Sequence, residues 1–256
     1  MKVAKRRRSS SISSPPPMKK AWLCWDAGEK MDSDSYFGML FETVEVHLRG
    51  VVESITVHRG ILAQESEWFA QYVDNDGNLF LDEYDAQTVQ TFLVWLYSDQ
   101  LLAPIIQPKG PPEEHIKGWS EEMLTNLWTF AWSYNVRRLK NDIITCLIQQ
   151  YMEKTEFPGF LTIQNVIGSC GYDCAFIRFF AYHRASRGLK GSSHLPDNLH
   201  EYPAGFLAHV LREVAKIREL RNDGKSPKVT FSAELACRWH EHLTAREAEL
   251  CQERGG

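Results

Sequence analysis

Five cysteines and histidines in this sequence have side chains and a spacing that could bind a metal ion. Cys237, His240 and His242 follow one another closely near the C-terminal end, and Cys170 and Cys174 lie further upstream. Thiolate sulfur and imidazole nitrogen are the ligands that structural zinc prefers, and a zinc ion takes four of them in a tetrahedron. If the later run is helical, Cys237 and His240 share a face. His242 then points elsewhere, because each residue turns a helix by about 100°.

This spacing suggests a zinc-stabilised regulatory protein whose site consists of Cys170, Cys174, Cys237 and His240. The alternative is that the thiols are buried and that the histidines lie on a helix face packed around Trp239. Buried free cysteines commonly behave as small apolar residues. We therefore predict no metal and no cofactor, and we keep the zinc site as the alternative.

His58 is the residue that most resembles a catalytic base. A base acts on a nucleophile or substrate held beside it, and no such constellation accompanies His58 in the sequence. Gly-rich phosphate loops, G-x-S-x-G motifs and H-E-x-x-H motifs do not occur. Acidic pairs such as Asp82-Glu83 and Glu121-Glu122 are more typical of charges at helix N-termini. We therefore predict that the protein is not an enzyme and that His58 is a structural histidine.

Charge is distributed unevenly along the 256 residues, whose net charge is −4. Seven of the 29 basic residues lie in the first 24 positions, which contain no acid, so the rest of the chain has a net charge of −11. Binding to phosphate backbones needs clustered Lys and Arg, so an acidic body argues against a nucleic-acid surface on the folded part. No apolar run approaches the roughly 18 residues of a membrane span. No secretory signal is expected either, and the six cysteines are expected to be reduced.

Residues 1–32 are rich in basic residues, serine and proline, and they are predicted to form a disordered tail. Such a segment buries too little apolar surface to offset the entropy of ordering it. The cluster of Lys5, Arg6, Arg7 and Arg8 could act as a nuclear import signal or direct a basophilic kinase to the serines that follow. A solvated tail without either role is the alternative. A cytoplasmic or nuclear location is expected.

Hydrophobic periodicity predicts three short strands followed by helices. Residues 43–48 alternate between polar and apolar side chains, and residues 54–57 and 79–81 form two further strands. Two short helices are expected at about 59–65 and 66–73, with Ser66 as the N-cap of the second. Three early strands followed by helices indicate an α+β fold.

Longer helices are predicted after the third strand. Asp85 and Ser120 are the expected N-caps of the first two. A loop at 102–119 that is rich in proline and glycine separates them, and a break at Tyr134-Asn135 ends the second. In the last hundred residues, Thr162 is expected to cap a short helix. Ser232 is expected to start a final helix that runs on through Leu243.

Three segments of the chain resemble a BTB/POZ domain, in particular those of fungal BTB-domain proteins. They read ITVHRGILAQESEWF over residues 55–69, FLVWLYSDQL over 92–101 and LWTFAWSYNVRRLKNDIITCLI over 127–148. The resemblance implies a BTB/POZ fold over 36–155, in which helices cover a small early sheet, followed by an all-helical extension over 156–256. The residues that carry this fold signature are Val57, His58, Leu62, Phe69, Phe92, Trp95, Leu96, Leu127, Leu139 and Ile143.

The resemblance implies a non-catalytic module that binds other proteins and could self-associate through the BTB domain. Some family members are substrate adaptors of cullin-type ubiquitin ligases. In these members, a hydrophobic-x-acidic motif before the fourth helix helps the domain to contact the cullin. Trp119 and Glu121 are similar to that motif and are therefore interaction candidates. The alternative is that Trp119 anchors the preceding loop and that Glu121 belongs to a helix start.

The sequence departs from the family at three places. Glu42-Thr43 stands where many members have Ser-Asp, the usual proline after the third strand is missing, and the insertion over 102–118 is long. Residues 36–41 are too short to be identified as the N-terminal helix through which many BTB domains dimerise. The resemblance therefore leaves dimerisation open.

Overall fold

The computed structural model of this protein describes residues 41–101, 119–153, 157–188, 199–223 and 233–254. The predicted tail at 1–32, with its basic cluster, lies outside the described residues, and so does the predicted loop at 102–119 apart from Trp119. The described part is a mixed α+β protein in which one small sheet is accompanied by many helices. Within these residues, no helix is long and apolar enough to cross a membrane.

The sheet contains three strands in the order β2–β1–β3. Strand β1 (Thr43–Leu48) pairs antiparallel with β2 (Ile55–His58) and parallel with β3 (Asn78–Leu81). Every second residue of β1, starting at Val44, is buried, as the alternation in the sequence predicts. One face of the sheet is therefore apolar and receives the helices.

The helices follow the strands in the chain, except for two short ones that lie between β2 and β3. Their bounds are α1 (Arg59–Glu65), α2 (Glu67–Tyr72), α3 (Ala86–Ser98), α4 (Glu121–Ser133), α5 (Arg137–Glu153), α6 (Phe160–Cys170), α7 (Ala175–Gly188), α8 (Ala204–Asn222), α9 (Ala233–Cys237) and α10 (Ala245–Arg254). A single 3-10 turn at Leu199–Glu201 precedes α8.

The predicted starts of the helices around the sheet are confirmed. The side chains of Ser66, Asp85 and Ser120 accept backbone N–H groups at 3.1, 2.9 and 3.1 Å, at the first turns of α2, α3 and α4. Each bond satisfies an amide group that has no partner inside its own helix. The predicted break after α4 is confirmed as well, and Asn135 takes a left-handed φ of 50° there.

One apolar core runs from the sheet to the C-terminal helices of the described chain. Helix α4 lies at its centre because this helix is buried on two sides. Phe130 contacts Phe92 of α3 with ring centroids 4.9 Å apart, and Trp128 contacts Phe176 of α7 with ring centroids 5.6 Å apart. The helical region after residue 156 therefore shares its core with the region that contains the sheet.

The prediction of one continuous final helix through Leu243 is wrong. Helix α9 ends at Cys237 in a turn, where the amide of His240 donates to the carbonyl of Cys237 at 3.2 Å. A separate helix, α10, begins after Thr244, whose hydroxyl accepts the amide of Glu247 at 3.1 Å. The sequence Thr244-x-x-Glu247 is a capping-box pattern, which favours a new helix start over continuation.

The prediction that Thr162 caps its helix is also wrong. Helix α6 begins at Phe160 with Gly159 in the N-cap position, so Thr162 lies inside the first turn. Its hydroxyl instead donates to the carboxylate of Glu121, which is distant in sequence. A partner on another helix has replaced the local one that the sequence suggests.

His183 of α7 is a buried histidine within the aromatic part of the core. Its ring stacks on that of Phe157, and the centroids of Phe157 and Phe179 each lie 6.1 Å from the centroid of the His183 ring. Burial, followed by the charge of Arg187, lowers the pKa of His183 to about 4, against the opposing effect of a backbone contact from Tyr151. The imidazole is therefore neutral in the folded protein near neutral pH.

We expect the free energy of unfolding to fall as the pH drops from about 6.5 to about 4, in part because of His183. In this window the unfolded chain binds a proton that the folded state excludes, which costs about 2–3 kcal/mol. His183→Phe keeps an aromatic ring in the site and removes the titrating group. Urea unfolding at neutral and mildly acidic pH should show a smaller loss of stability in the variant. Equal losses in the two proteins would contradict this.

Phe92→Ala should lower the free energy of unfolding by about 3–5 kcal/mol, because it opens a cavity among the fully buried rings around α3 and α4. Val94 lies on the same helix and is 52% exposed. Val94→Ala is the matched control and should stay within about 0.5 kcal/mol of the wild type. Chemical denaturation measures the free energy of unfolding of both variants. Similar losses of stability in the two would contradict the role of Phe92 in the core.

Candidate functional site

The residues that carry the fold signature meet in one region of the described chain. Three aromatic rings, one from each of the three segments, contact one another in a row: the ring centroid of Phe69 lies 5.5 Å from that of Phe92, which lies 4.9 Å from that of Phe130. The indole Nε1 of Trp95 donates to Asp142 of α5 at 2.7 Å. The buried members of the signature are Val57, Leu62, Phe69, Phe92, Trp95, Leu127, Leu139 and Ile143.

Two members of the signature are not fully buried. Leu96 packs against the edge of the core and is half-buried. His58 is exposed and sits at the junction between β2 and α1, where its amide donates to the hydroxyl of Tyr97 at 3.0 Å. The ring Nδ1 of His58 lies 3.0 Å from the same oxygen. This geometry gives His58 a positioning role, because it ties the end of the sheet to the end of α3.

A groove of about 550 Å³ separates α3 from the first turns of α4. Its walls mix apolar and polar side chains. Gln87 of α3 reaches across to Met123 of α4, with its amide nitrogen 3.8 Å from the sulfur. The lining also includes Thr91, Trp119, Asn126 and Leu127. The groove therefore combines apolar side chains with groups that can form hydrogen bonds.

Trp119 and Glu121, the two predicted interaction residues, occupy different environments. Trp119 is half-buried, packs against the core and lines the groove. Glu121 is engaged within the chain: its carboxylate accepts the hydroxyl of Tyr151 at 3.0 Å, the amide of Gly159 at 3.0 Å and the hydroxyl of Thr162. This carboxylate therefore joins the start of α4 to the end of α5 and the start of α6.

The cysteines and histidines named in the zinc hypothesis do not form one group. Cys170 and Cys174 contact each other where α6 meets α7, and both are buried. Cys237 instead lies with His242 and Cys251, and donor atoms of these three residues are all within 4.8 Å of one another. The expectation that His242 points away from Cys237 is wrong, because the helix ends at Cys237 and the 100° rotation per residue no longer applies.

Burial shifts the proton affinities of two residues in this C-terminal group. The pKa of His240 is lowered to about 4, first by burial and then by the neighbouring His242. The pKa of the Cys251 thiol is raised to about 12, first by burial and then by its hydrogen bond with Cys237. Near neutral pH, His240 is therefore neutral and has a free nitrogen lone pair, and the Cys251 thiol keeps its proton in the absence of a bound cation.

Sequence reasoning missed Cys251 as a possible member of the site. This residue lies on α10, beyond the predicted final helix that runs through Leu243. The capping-box pattern starting at Thr244 was the signal that could have revealed it, because a second helix brings the chain back towards Cys237.

Neither a scan against models of known protein families nor a search of curated proteins found a match to this chain. The resemblance to BTB/POZ domains consequently rests on the three sequence segments.

Glu121→Ala should lower the free energy of unfolding by about 1–3 kcal/mol, because it removes a charged acceptor from three donors and leaves them unpaired. Glu122 lies in the same helix turn and is exposed, so Glu122→Ala is the matched control and should have little effect. Thermal unfolding measures both. Faster amide hydrogen exchange at Gly159 in the Glu121 variant alone would locate the loss, and equal stability of the two variants would contradict the role of Glu121.

Proposed function

We propose that this protein is a non-catalytic protein–protein interaction module of the BTB/POZ type. The observation that supports the proposal is the row of contacts between the rings of Phe69, Phe92 and Phe130. These residues come from three separate segments, and each segment resembles a different part of the BTB core. A core built from the same three pieces in the same order is what a BTB-type fold requires.

The groove between α3 and α4 is the proposed binding surface. Trp119 and Met123 provide apolar area within it, and Gln87, Thr91 and Asn126 provide hydrogen-bonding groups. Burial of apolar surface supplies binding free energy, roughly 25 cal/mol for each Å² removed from water. The polar rim selects partners, because a buried amide or hydroxyl left unpaired by the wrong partner is costly.

The first partner to test is a second copy of the chain, since many BTB domains dimerise. A cullin scaffold is the narrower hypothesis. Trp119 lines the groove and would remain available to a cullin, whereas the Glu121 carboxylate already accepts three internal donors. The adaptor hypothesis therefore stays a prediction, with Trp119 as its better-placed residue.

A photo-crosslinking amino acid placed at Asn126 should form adducts with a bound protein, and the same amino acid at exposed Gln90 should not. Gln90 lies on α3 but does not line the groove, so it is the matched control. Adding Met123→Glu should abolish the adducts at Asn126, because it places a charge on the apolar part of the groove.

Three versions of this crosslinking experiment distinguish the partners. The purified full chain alone reveals a second copy, an added cullin N-terminal domain reveals the adaptor function, and a cell lysate reveals other proteins. Adducts that form equally at positions 90 and 126, or that survive Met123→Glu, would count against the groove as the binding surface.

A further inference from the structure

We infer that Cys237, His240, His242 and Cys251 form a zinc site, which does not depend on the function proposed above. The turn between α9 and α10 brings Cys251 back to Cys237. Donor atoms of Cys237, His242 and Cys251 all lie within 4.8 Å of one another. Two thiols and two imidazoles gathered by one turn make a donor set that structural zinc takes in many small sites.

The distances between donor atoms are close to those around a tetrahedral zinc ion. Nε2 of His242 lies 3.2 Å from Sγ of Cys237, and Nδ1 of His240 lies 3.1 Å from Sγ of Cys251. Zinc bonds of about 2.3 Å to sulfur and about 2.0 Å to nitrogen place neighbouring ligands about 3.6 Å apart. His240 joins from the edge of the group, with its ring 6.1 Å from that of His242, so binding draws this ring towards the other three residues.

Thr145 of α5 orients His240 for this role. Its hydroxyl lies 2.9 Å from Nε2 of His240, on the side of the ring opposite to Cys251. If Nδ1 binds the ion, Nε2 carries the proton, and this N–H group donates a hydrogen bond to the threonine hydroxyl. Histidine ligands of metals are commonly held by such a hydrogen bond on their second nitrogen, which fixes both the tautomer and the ring orientation.

The donor chemistry favours zinc over other common cations and over a disulfide. Magnesium and calcium prefer oxygen ligands, whereas thiolate and imidazole together suit zinc. Both cysteines are free thiols in the structure. Binding of Zn²⁺ would deprotonate both thiols and release two protons to solvent, with no change in oxidation state.

A zinc ion here would fasten α10 to α9 and to the turn between them. Polar contacts already hold this turn to α5: the side chain of Asn141 donates to the carbonyl of Glu241 at 3.0 Å and accepts its amide at 2.8 Å. Arg137 pairs with Glu247 of α10 at 2.6 Å. The ion would add a cross-link between α9, the turn and α10.

The test uses the full chain, stripped with a chelator under reducing conditions, dialysed against Zn²⁺ and freed of unbound metal by gel filtration. We expect about one zinc per chain by elemental analysis, a higher thermal unfolding midpoint, and loss of both when chelator is added again. Co²⁺ in place of zinc should give the visible absorption of a tetrahedral thiolate site. Less than about 0.1 zinc per wild-type chain would overturn the inference, given the tight binding of structural zinc.

Variants separate this site from other thiols. Cys251→Ser should lose the bound zinc, and because Cys251 is only half-buried the variant should keep its fold, which circular dichroism checks. Cys146→Ser and Cys170→Ala are the controls and should keep about one zinc per chain. Thr145→Val should weaken zinc binding by about 10- to 100-fold. Full zinc content in Cys251→Ser, or stabilisation that is reversed by a reducing agent and not by a chelator, would overturn the inference.

Discussion

Helix α4 is enclosed between two apolar layers, and the packing of the described chain depends on this. Phe130 faces α3, whereas Trp128 faces α7, and both side chains are fully buried. A helix at the surface of a protein needs only one apolar stripe, but a helix between two layers needs two. The sheet region and the C-terminal helices therefore cannot be separated without exposing aromatic surface on both sides of α4.

The N-terminus of α4 needs hydrogen-bond acceptors, because its first amide groups have no partners within the helix. Ser120 satisfies one of them, and the negative charge of Glu121 is favourable at this end of the helix dipole. Glu121 also gathers donors from the end of α5 and the start of α6. The same carboxylate that complements the dipole of α4 thus links the start of this helix to the end of α5 and the start of α6.

Local signals predicted the local features of this fold. The alternation in β1, the caps at Ser66, Asp85 and Ser120, and the break before Asn135 all depend on residues close in sequence, and the structure has each of them. Thr162 behaves differently, because its hydroxyl bonds to Glu121 across the fold. No periodicity or capping pattern encodes such a contact.

The candidate metal residues show the same division between local and distant information. Cys237 and His240 were recognised from their types and spacing. The positions of His242 and Cys251 depend on where a helix stops and on where the next one begins. A single wrong helix end therefore removed His242 from the candidate group and left Cys251 unnoticed.

The way in which α10 is attached affects how fast the thiols of the chain can be alkylated. This helix is held to α5 by polar contacts such as the pair between Arg137 and Glu247, whereas Cys170 and Cys174 lie within the apolar core. Segments held mainly by exposed polar contacts open at a lower free energy than the core does. The alkylation rate of Cys251 would then report the opening of α10, and that of Cys170 and Cys174 would report unfolding of the core. Measured on the same sample, the two alkylation rates would separate local opening of the chain from its global unfolding.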